Sequence, residues 1–291
     1  MRRLLTALCL PLVLLLGLAG CGDDTDVRTG NEPSGSTDGS DAPDGGGDAD
    51  ETQVAIAIEV GGGFVPFGYD FAAVPTVVQD NGTAFTGGAM TMQYPGPAMT
   101  PVFTGVVEPD VLEGLLDAAA EAGLATDDEL DAGEPGVTDM PNTTITVRVD
   151  GQTYTHSIYA LSLSTEEGGG AELGLSEEQL ALRAAVNEFV TEVGDAVSSA
   201  ASEPFVPEAF QLLAQPAGEV DPEVQPNQLT WPFSYPIEAG GACQTVEGDD
   251  AATLAPLVAQ ATQITRWTDP SSGTEHNLTF RAVIPGFDRD C

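Results

Sequence analysis

Residues 143–161 read TTITVRVDGQTYTHSIYAL, and this stretch decides the fold class. Asp150-Gly151 stands between two runs rich in Thr, Val, Ile and Tyr. A two-residue Asp-Gly turn suits a type I′ hairpin, because both central residues need positive φ. That turn sets a register with Val147 opposite Tyr154 and Ile145 opposite His156. Side chains alternate along a strand, so these four share one face. Thr144, Thr146, Thr155 and Ser157 share the other. One face suits a core and one is wet, which is the pattern of an antiparallel sheet covered on one side.

Working outward toward the N-terminus, residues 125–141 are an acidic loop. A helix is expected after Pro109, where Leu112, Leu115, Leu116 and Ala119 fall at helical spacing and Gly123 stands at the stop. Residues 87–107, rich in Gly, Pro and Met, read as loop. Asn81-Gly82 between 74–80 and 83–86 reads as a second hairpin, with Val78 facing Phe85. Thr52–Val60 reads as a strand ended by Gly61-Gly62-Gly63.

Toward the C-terminus, Ser176–Val197 is a helix. Ser176 with Gln179 forms a capping box, and Leu175 with Leu180 sits at staple positions. Leu182, Val186, Phe189, Val193 and Val197 make one apolar stripe. Phe210–Ala214 and Leu229–Tyr235 read as strands, the latter interrupted by Pro232. Asp249 and Asp250 suit a helix start, with Pro256 as a kink or first-turn residue. His276, Leu278, Phe280, Ala282 and Ile284 alternate onto one face of a last strand.

The order strand, helix, hairpin-like strands occurs in 74–160 and again in 229–285. This suggests two related ββαβ-type units. The expected fold class is α+β, with antiparallel sheets backed by about three helices. The expected organisation is a signal peptide (1–20), a lipidated Cys with a disordered acidic tether (21–51) and a globular domain (52–291). The domain has possible halves at 52–170 and 203–291, joined by the helix 176–197.

Charge excludes one class of partner. The chain has 8 basic and 46 acidic residues and no Lys. Such a surface repels phosphate, so nucleic acid is not an expected partner. Residues 22–51 hold ten carboxylates and almost no large apolar side chain. They cannot bury enough surface to offset chain entropy. A spacer of this composition reaches about 30 Å.

The first 21 residues carry the location. Met1-Arg2-Arg3 is basic, Leu4–Leu18 is apolar, and Leu18-Ala19-Gly20-Cys21 follows. This is the order of a secretory signal. The apolar run is shorter than the roughly 20 residues a spanning helix needs. A Cys directly after Leu-Ala-Gly resembles the lipobox of bacterial lipoproteins. That resemblance implies cleavage before Cys21 and diacylglycerol on its thiol, hence a membrane anchor facing away from the cytoplasm. Of the four Cys, Cys9 leaves with the signal and Cys21 takes the lipid. In an exported protein the remaining pair, Cys243 and Cys291, most simply forms a disulfide. Zinc ligation by these Cys and two His is the weaker alternative, since no CxxC or HxxxH spacing exists.

Over most of its length the chain resembles a group of secreted lipoproteins from high-GC Gram-positive bacteria. The resemblance rests on the lipobox, Gly62-Gly63-Phe64-Val65-Pro66, Tyr94-Pro95-Gly96-Pro97, Trp231-Pro232, Trp267 and the Cys243/Cys291 pair. The group has no assigned activity, so the resemblance implies location and architecture alone.

No catalytic residue is assigned from the sequence, and no cofactor is expected. There is no GxSxG nucleophile elbow. A glycosidase needs two carboxylates about 5–10 Å apart, and the acids of the domain offer no basis for choosing a pair. No metal site is assigned; the nearest candidates are His156, His276, Asp127, Asp128 and Asp131. Each histidine lies on the apolar face of its strand, as a hydrogen-bonded core histidine would. If the two units packed face to face, the pair could converge with a carboxylate on a metal ion. The loop Asp127–Glu134 fails the calcium-loop pattern at Ala132 and Thr138. Met90, Met92, Tyr94, Phe64 and Phe67 are candidate contact residues, because Met and aromatic side chains suit adaptable interfaces. The same stretches could pack on the domain's own sheet. The expectation is a lipid-anchored, non-enzymatic binding module for an envelope protein or glycan. The alternatives are a carboxylate- or metal-dependent hydrolase of envelope glycan or peptide, and a structural calcium-binding module.

Overall fold

In the computed structural model the Asp150-Gly151 hairpin has the expected register, with Val147 opposite Tyr154 and Ile145 opposite His156. Both turn residues have positive φ, 53° and 79°. On the wet face Thr146 bonds Thr155 at 3.1 Å, and Thr144 bonds Ser157 at 3.3 Å. The structure describes residues 52–66, 68–89, 93–164, 173–221 and 223–291.

In chain order the elements begin with β1 (Val54–Gly61), α1 (Tyr69–Ala72), β2 (Thr76–Gln79), β3 (Thr83–Gly87), β4 (Val102–Val106) and α2 (Pro109–Glu121). Then come β5 (Asn142–Val149), β6 (Gln152–Tyr159), a 3-10 turn (Leu161–Ser164), α3 (Glu177–Ala200), β7 (Glu203–Pro204) and β8 (Ala209–Pro216). The chain ends with β9 (Gln228–Thr230), β10 (Cys243–Glu247), α4 (Gly248–Val258), β11 (Arg266–Thr268) and β12 (Glu275–Ala282).

The strands form a seven-stranded sheet in the order β6-β5-β1-β2-β3-β4-β7 and a five-stranded sheet in the order β10-β8-β12-β11-β9. Every pairing is antiparallel except β9 with β11. The fold class is α+β, as the hairpin pattern requires. The two stretches share only a broad order: three strands (β2, β3, β4) precede α2 in 74–160 and two (β9, β10) precede α4 in 229–285, and their strand orders differ. β1 lies between β2 and β5, with β6 outside β5. β8 lies between β10 and β12, with β11 outside β12. The inner strand of the pair is the earlier one (β5) in the seven-stranded sheet and the later one (β12) in the five-stranded sheet.

Both long helices carry their expected end signals. α3 has the full Ser176/Gln179 capping box. α2 has Pro109 in its first turn, and the residue after its cap, Gly123, has φ 79°. In α4, Pro256 stands near the C-terminal end rather than in the first turn. There its missing N–H frees only one carbonyl of a helix that is already ending.

The first hairpin departs from its sequence reading by one residue. Val77 faces Phe85 and Val78 faces Ala84. The loop holds Asp80, Asn81 and Gly82, and of these only Gly82 has positive φ, at 84°. Its N–H donates to the Gln79 carbonyl at 2.9 Å. This is the three-residue turn closed by a left-handed glycine. The Asp80 N–H is taken by the Gln53 carbonyl at 2.8 Å, which holds Asp80 out of the β2–β3 ladder. A one-residue slip exchanges faces. Val78 therefore meets the helices, while Val77 and Phe85 lie on the opposite side of the sheet.

Within 87–107 the loop reading fails for β4, which pairs with β3 from Val102 to Val106. Its short run VFTGV is broken by glycine and becomes a strand because β3 offers it an edge. The expected strand Leu229–Tyr235 shrinks to β9. Pro232 cannot donate to a ladder, and Trp231, Phe233 and Tyr235 instead form an aromatic cluster, with Phe233 and Tyr235 stacked at 4.9 Å.

Two cores back the sheets. In the first, α2 and α3 cover one face of the seven-stranded sheet. Val186, Phe189, Val193 and Val197 of α3 meet Ile56, Ile58, Ile145 and Val147. Each such side chain contributes about 1.5–3 kcal/mol of transfer free energy. α3 therefore belongs to the first half rather than standing between the halves. In the second core, α4 packs on the five-stranded sheet around Trp231, Trp267, Leu212, Leu254 and Phe280.

The C-terminal segment clamps the sheets together. Cys291 is disulfide-bonded to Cys243, with Cα atoms 4.9 Å apart. The Arg281 guanidinium donates to the Gln211 side chain and to the carbonyls of Arg289 and Asp290, and sits 4.4 Å over the Phe71 ring. Burial, with the nearby Arg289 charge, lowers its pKa to about 10. Arg289 pairs with Glu59 of β1 at 3.1 Å and donates to the Ala73 carbonyl at 2.7 Å. No helix among the described residues is long and apolar enough to cross a membrane.

Candidate binding cleft beside the five-stranded sheet

β11 is short, and it leaves the edge of β12 open beyond His276. The stretch before β4 fills that edge. Met99 bridges to Phe280 in parallel, and the Phe280 N–H donates to the Ala98 carbonyl at 3.0 Å. The Gln263 N–H donates to the Gly96 carbonyl at 2.9 Å. Ala98 is buried in the second core, and Met99 packs against it. Residues 96–99, within the stretch 87–107 expected as loop, are thus used internally.

The segment after β1 forms the facing wall. The Gly62 N–H donates to the Asp70 carboxylate at 3.1 Å, and the Tyr69 N–H to the Pro66 carbonyl at 3.0 Å. Gly63 approaches the Asp139 carbonyl so closely that an added Cβ would lie 2.8 Å from it. This packing leaves Tyr69 65% exposed at the start of α1.

Between these walls lies a cleft of about 550 Å³. Its apolar lining comes from Pro66, Tyr69, Ala72, Ala73, Pro97 and Ala98. Its polar lining comes from Thr100, Gln215, Gln263, Asn277 and Thr279. Among the described residues that line it, none carries a charge. Asn277 is already engaged: its amide donates to the Thr265 carbonyl at 2.9 Å and accepts from the Gly218 N–H at 3.1 Å. The side chains of Thr100, Gln215, Gln263 and Thr279 make no hydrogen bond to another described residue, and neither does the Tyr69 hydroxyl. Amides and hydroxyls both donate and accept, so the cleft presents open hydrogen-bonding capacity of both kinds.

The other large hollows differ in charge. Asp80, Glu113, Asp117 and Asp150 stand around the one between α2 and the two hairpin tips. Asp127, Asp128 and His156 come together in another, of about 450 Å³. His156 Nε2 lies 3.0 Å from the Leu124 carbonyl. A carbonyl only accepts, so that nitrogen holds the proton and is not free to ligate. Asp131 lines a neighbouring hollow and accepts from the Gln179 amide at 2.8 Å. His276 lies on the other sheet, buried opposite Trp267 and Pro216. The two histidines do not converge. Among the described residues no three of His, Cys, Asp and Glu are placed to hold a metal ion.

Of the contact candidates, Phe64 and Tyr94 are 89% and 62% exposed. Phe67, Met90 and Met92 lie outside the described residues, as do Cys21 and the whole of 1–51. Sequence reading missed Thr100, Gln215, Gln263 and Thr279. The one available signal was alternation, which put Asn277 and Thr279 on the face of the last strand opposite its apolar side chains.

No family model matches the chain, and no curated protein or solved structure matches it.

Proposed function

We propose that this chain is a lipid-anchored protein on the extracytoplasmic side of the membrane, whose globular domain binds an envelope component without transforming it. The observation that carries the binding reading is the uncharged cleft between α1 and the five-stranded sheet. Its amides and hydroxyls hold a ligand but do not exchange protons near neutral pH. Location is supported by the basic, apolar and small-residue order ending at Cys21. The Cys243–Cys291 disulfide adds to this, since such bonds persist outside reducing compartments.

Two measurements test the proposal. Metabolic labelling with palmitate marks the native chain, and Cys21→Ser removes the label and releases the protein from the membrane. A label that survives Cys21→Ser overturns the anchor. The released Cys21→Ser chain then co-sediments with isolated envelopes, and Thr100→Glu, which puts a charge into the cleft, abolishes that retention. A chain that envelopes never retain overturns the binding reading.

A further inference from the structure

We infer that the cleft takes a neutral oligosaccharide segment of the envelope. This rests on the binding reading above and names its ligand class. The lining combines two chemistries that a sugar ring needs at once. Sugar hydroxyls donate and accept together, and Gln215, Gln263, Thr100 and Thr279 offer both functions with no side-chain partner among the described residues. The C–H face of a sugar is apolar, and the exposed Tyr69 ring with Pro66, Pro97 and Ala72 supplies a matching wall. A volume of about 550 Å³ lies within the range of small-ligand sites and admits a short stretch of glycan.

Charge argues for neutrality. The chain has 46 acidic residues, and none of the twelve described lining residues is one of them. The surrounding field disfavours anionic polymers such as phosphate-bearing or uronic-acid glycans. A cationic ligand would be better served by the carboxylate-lined hollow beside α2. A peptide strand would need a free sheet edge for main-chain bonds. The β12 edge beside the cleft is already taken at Phe280 by the Ala98 carbonyl and the Met99 bridge.

The test uses the full chain in detergent against an immobilised panel of neutral tetrasaccharides (glucan, mannan and galactan types) and an acidic galacturonan control. At least one neutral member binds and the acidic control does not. Tyr69→Ala and Gln263→Ala each weaken binding about tenfold, the size expected for one lost packing or hydrogen-bonding contact. Thr100→Glu abolishes it. All three exchange half-buried or exposed side chains, and an unchanged unfolding midpoint shows that the fold persists. The inference is overturned if no neutral member binds, if binding ignores all three substitutions, or if the acidic control is preferred. Envelope retention that depends on Thr100 without any sugar binding sinks the sugar and leaves the binding module. Absence of envelope retention in the Cys21→Ser chain with its cleft unaltered sinks both.

Discussion

Arg183 of α3 donates through Nη2 to the carbonyl of Tyr159 at 2.7 Å, and carbonyls alone answer its buried guanidinium. The others are Ala132, Gly133 and Ala160. Burial lowers its pKa from the ordinary value. In a chain so rich in acids, a fully buried cation has been given neutral acceptors. The guanidinium ties the acidic loop and the end of β6 to α3, closing the polar backbone that follows the hairpin.

Arg183→Ala therefore leaves several carbonyls without donors. The expected loss is about 3 kcal/mol or more, since each orphaned buried group costs about 1–3 kcal/mol. Arg183→Lys also destabilises, because an ammonium cannot reproduce the planar fork. Urea unfolding checks this through the midpoint at constant slope. A wild-type midpoint for Arg183→Ala would refute the clamp.

The disulfide closes a sequence separation of 48 residues. The chain-entropy model assigns such a loop about 4 kcal/mol. For a domain of this size that corresponds to roughly 8–16 °C in Tm. Calorimetry of Cys243→Ser/Cys291→Ser against the native chain should show a drop of that order.

Tyr235 bonds the Asp250 carboxylate at 3.0 Å. Burial first, then that carboxylate, raises its pKa to about 12. The fold holds this proton more tightly than the unfolded chain does. The associated stability is complete below pH 10 and is lost as pH rises toward 12. Phenolate absorbance during alkaline titration should show Tyr235 ionising late. Asp250→Asn should bring it earlier without normalising it, because burial remains.

Asp269 works on the acid side. Its carboxylate accepts from the Ser271 hydroxyl at 2.7 Å, the Ser271 N–H at 2.8 Å and the Ile237 N–H at 3.3 Å. Led by the Ser271 hydroxyl, these bonds hold its pKa below the ordinary 3.8. Its contribution is present above pH 3.8 and lost as pH falls through the depressed value. Asp269→Asn should be less stable than the native chain at pH 7, and the gap should close in strong acid. A gap independent of pH would refute this.

Two glycines should respond with opposite sign. A Cβ at Gly105 of β4 would lie 2.0 Å from the Ala200 carbonyl oxygen at the end of α3, and backbone cannot give way cheaply. Gly105→Ala should cost about 3 kcal/mol, at the upper end of ordinary overpacking. Gly114, exposed in α2, has nothing within 4 Å of an added Cβ. Gly114→Ala should stabilise by about 0.5–1 kcal/mol. Thermal melts of the two variants check both signs.

Local signals were legible wherever a few adjacent residues settle the geometry. Asp150-Gly151 set a register because a two-residue turn admits one, and Ser176 with Gln179 set a helix start. The same logic slipped at Asn81-Gly82, where a bond from the Asp80 N–H to the Gln53 carbonyl selects the three-residue turn. β4 and β11 were not legible. Short strands such as VFTGV and RWT have little preference of their own and form because a neighbour presents an edge.

By itself the sequence determined the α+β class, the capped helix, the Asp-Gly hairpin, the acid balance and the N-terminal order ending at Cys21. Each follows from side-chain period, from turn and cap chemistry, or from composition. Only the tertiary structure decided the buried arginines, the separation of His156 from His276 and the neutral cleft. The cleft's walls come from positions as distant as Tyr69, Thr100, Gln215 and Thr279. Chain folding alone brings those side chains together, and glutamines and threonines carry no periodic signal that announces where they will meet.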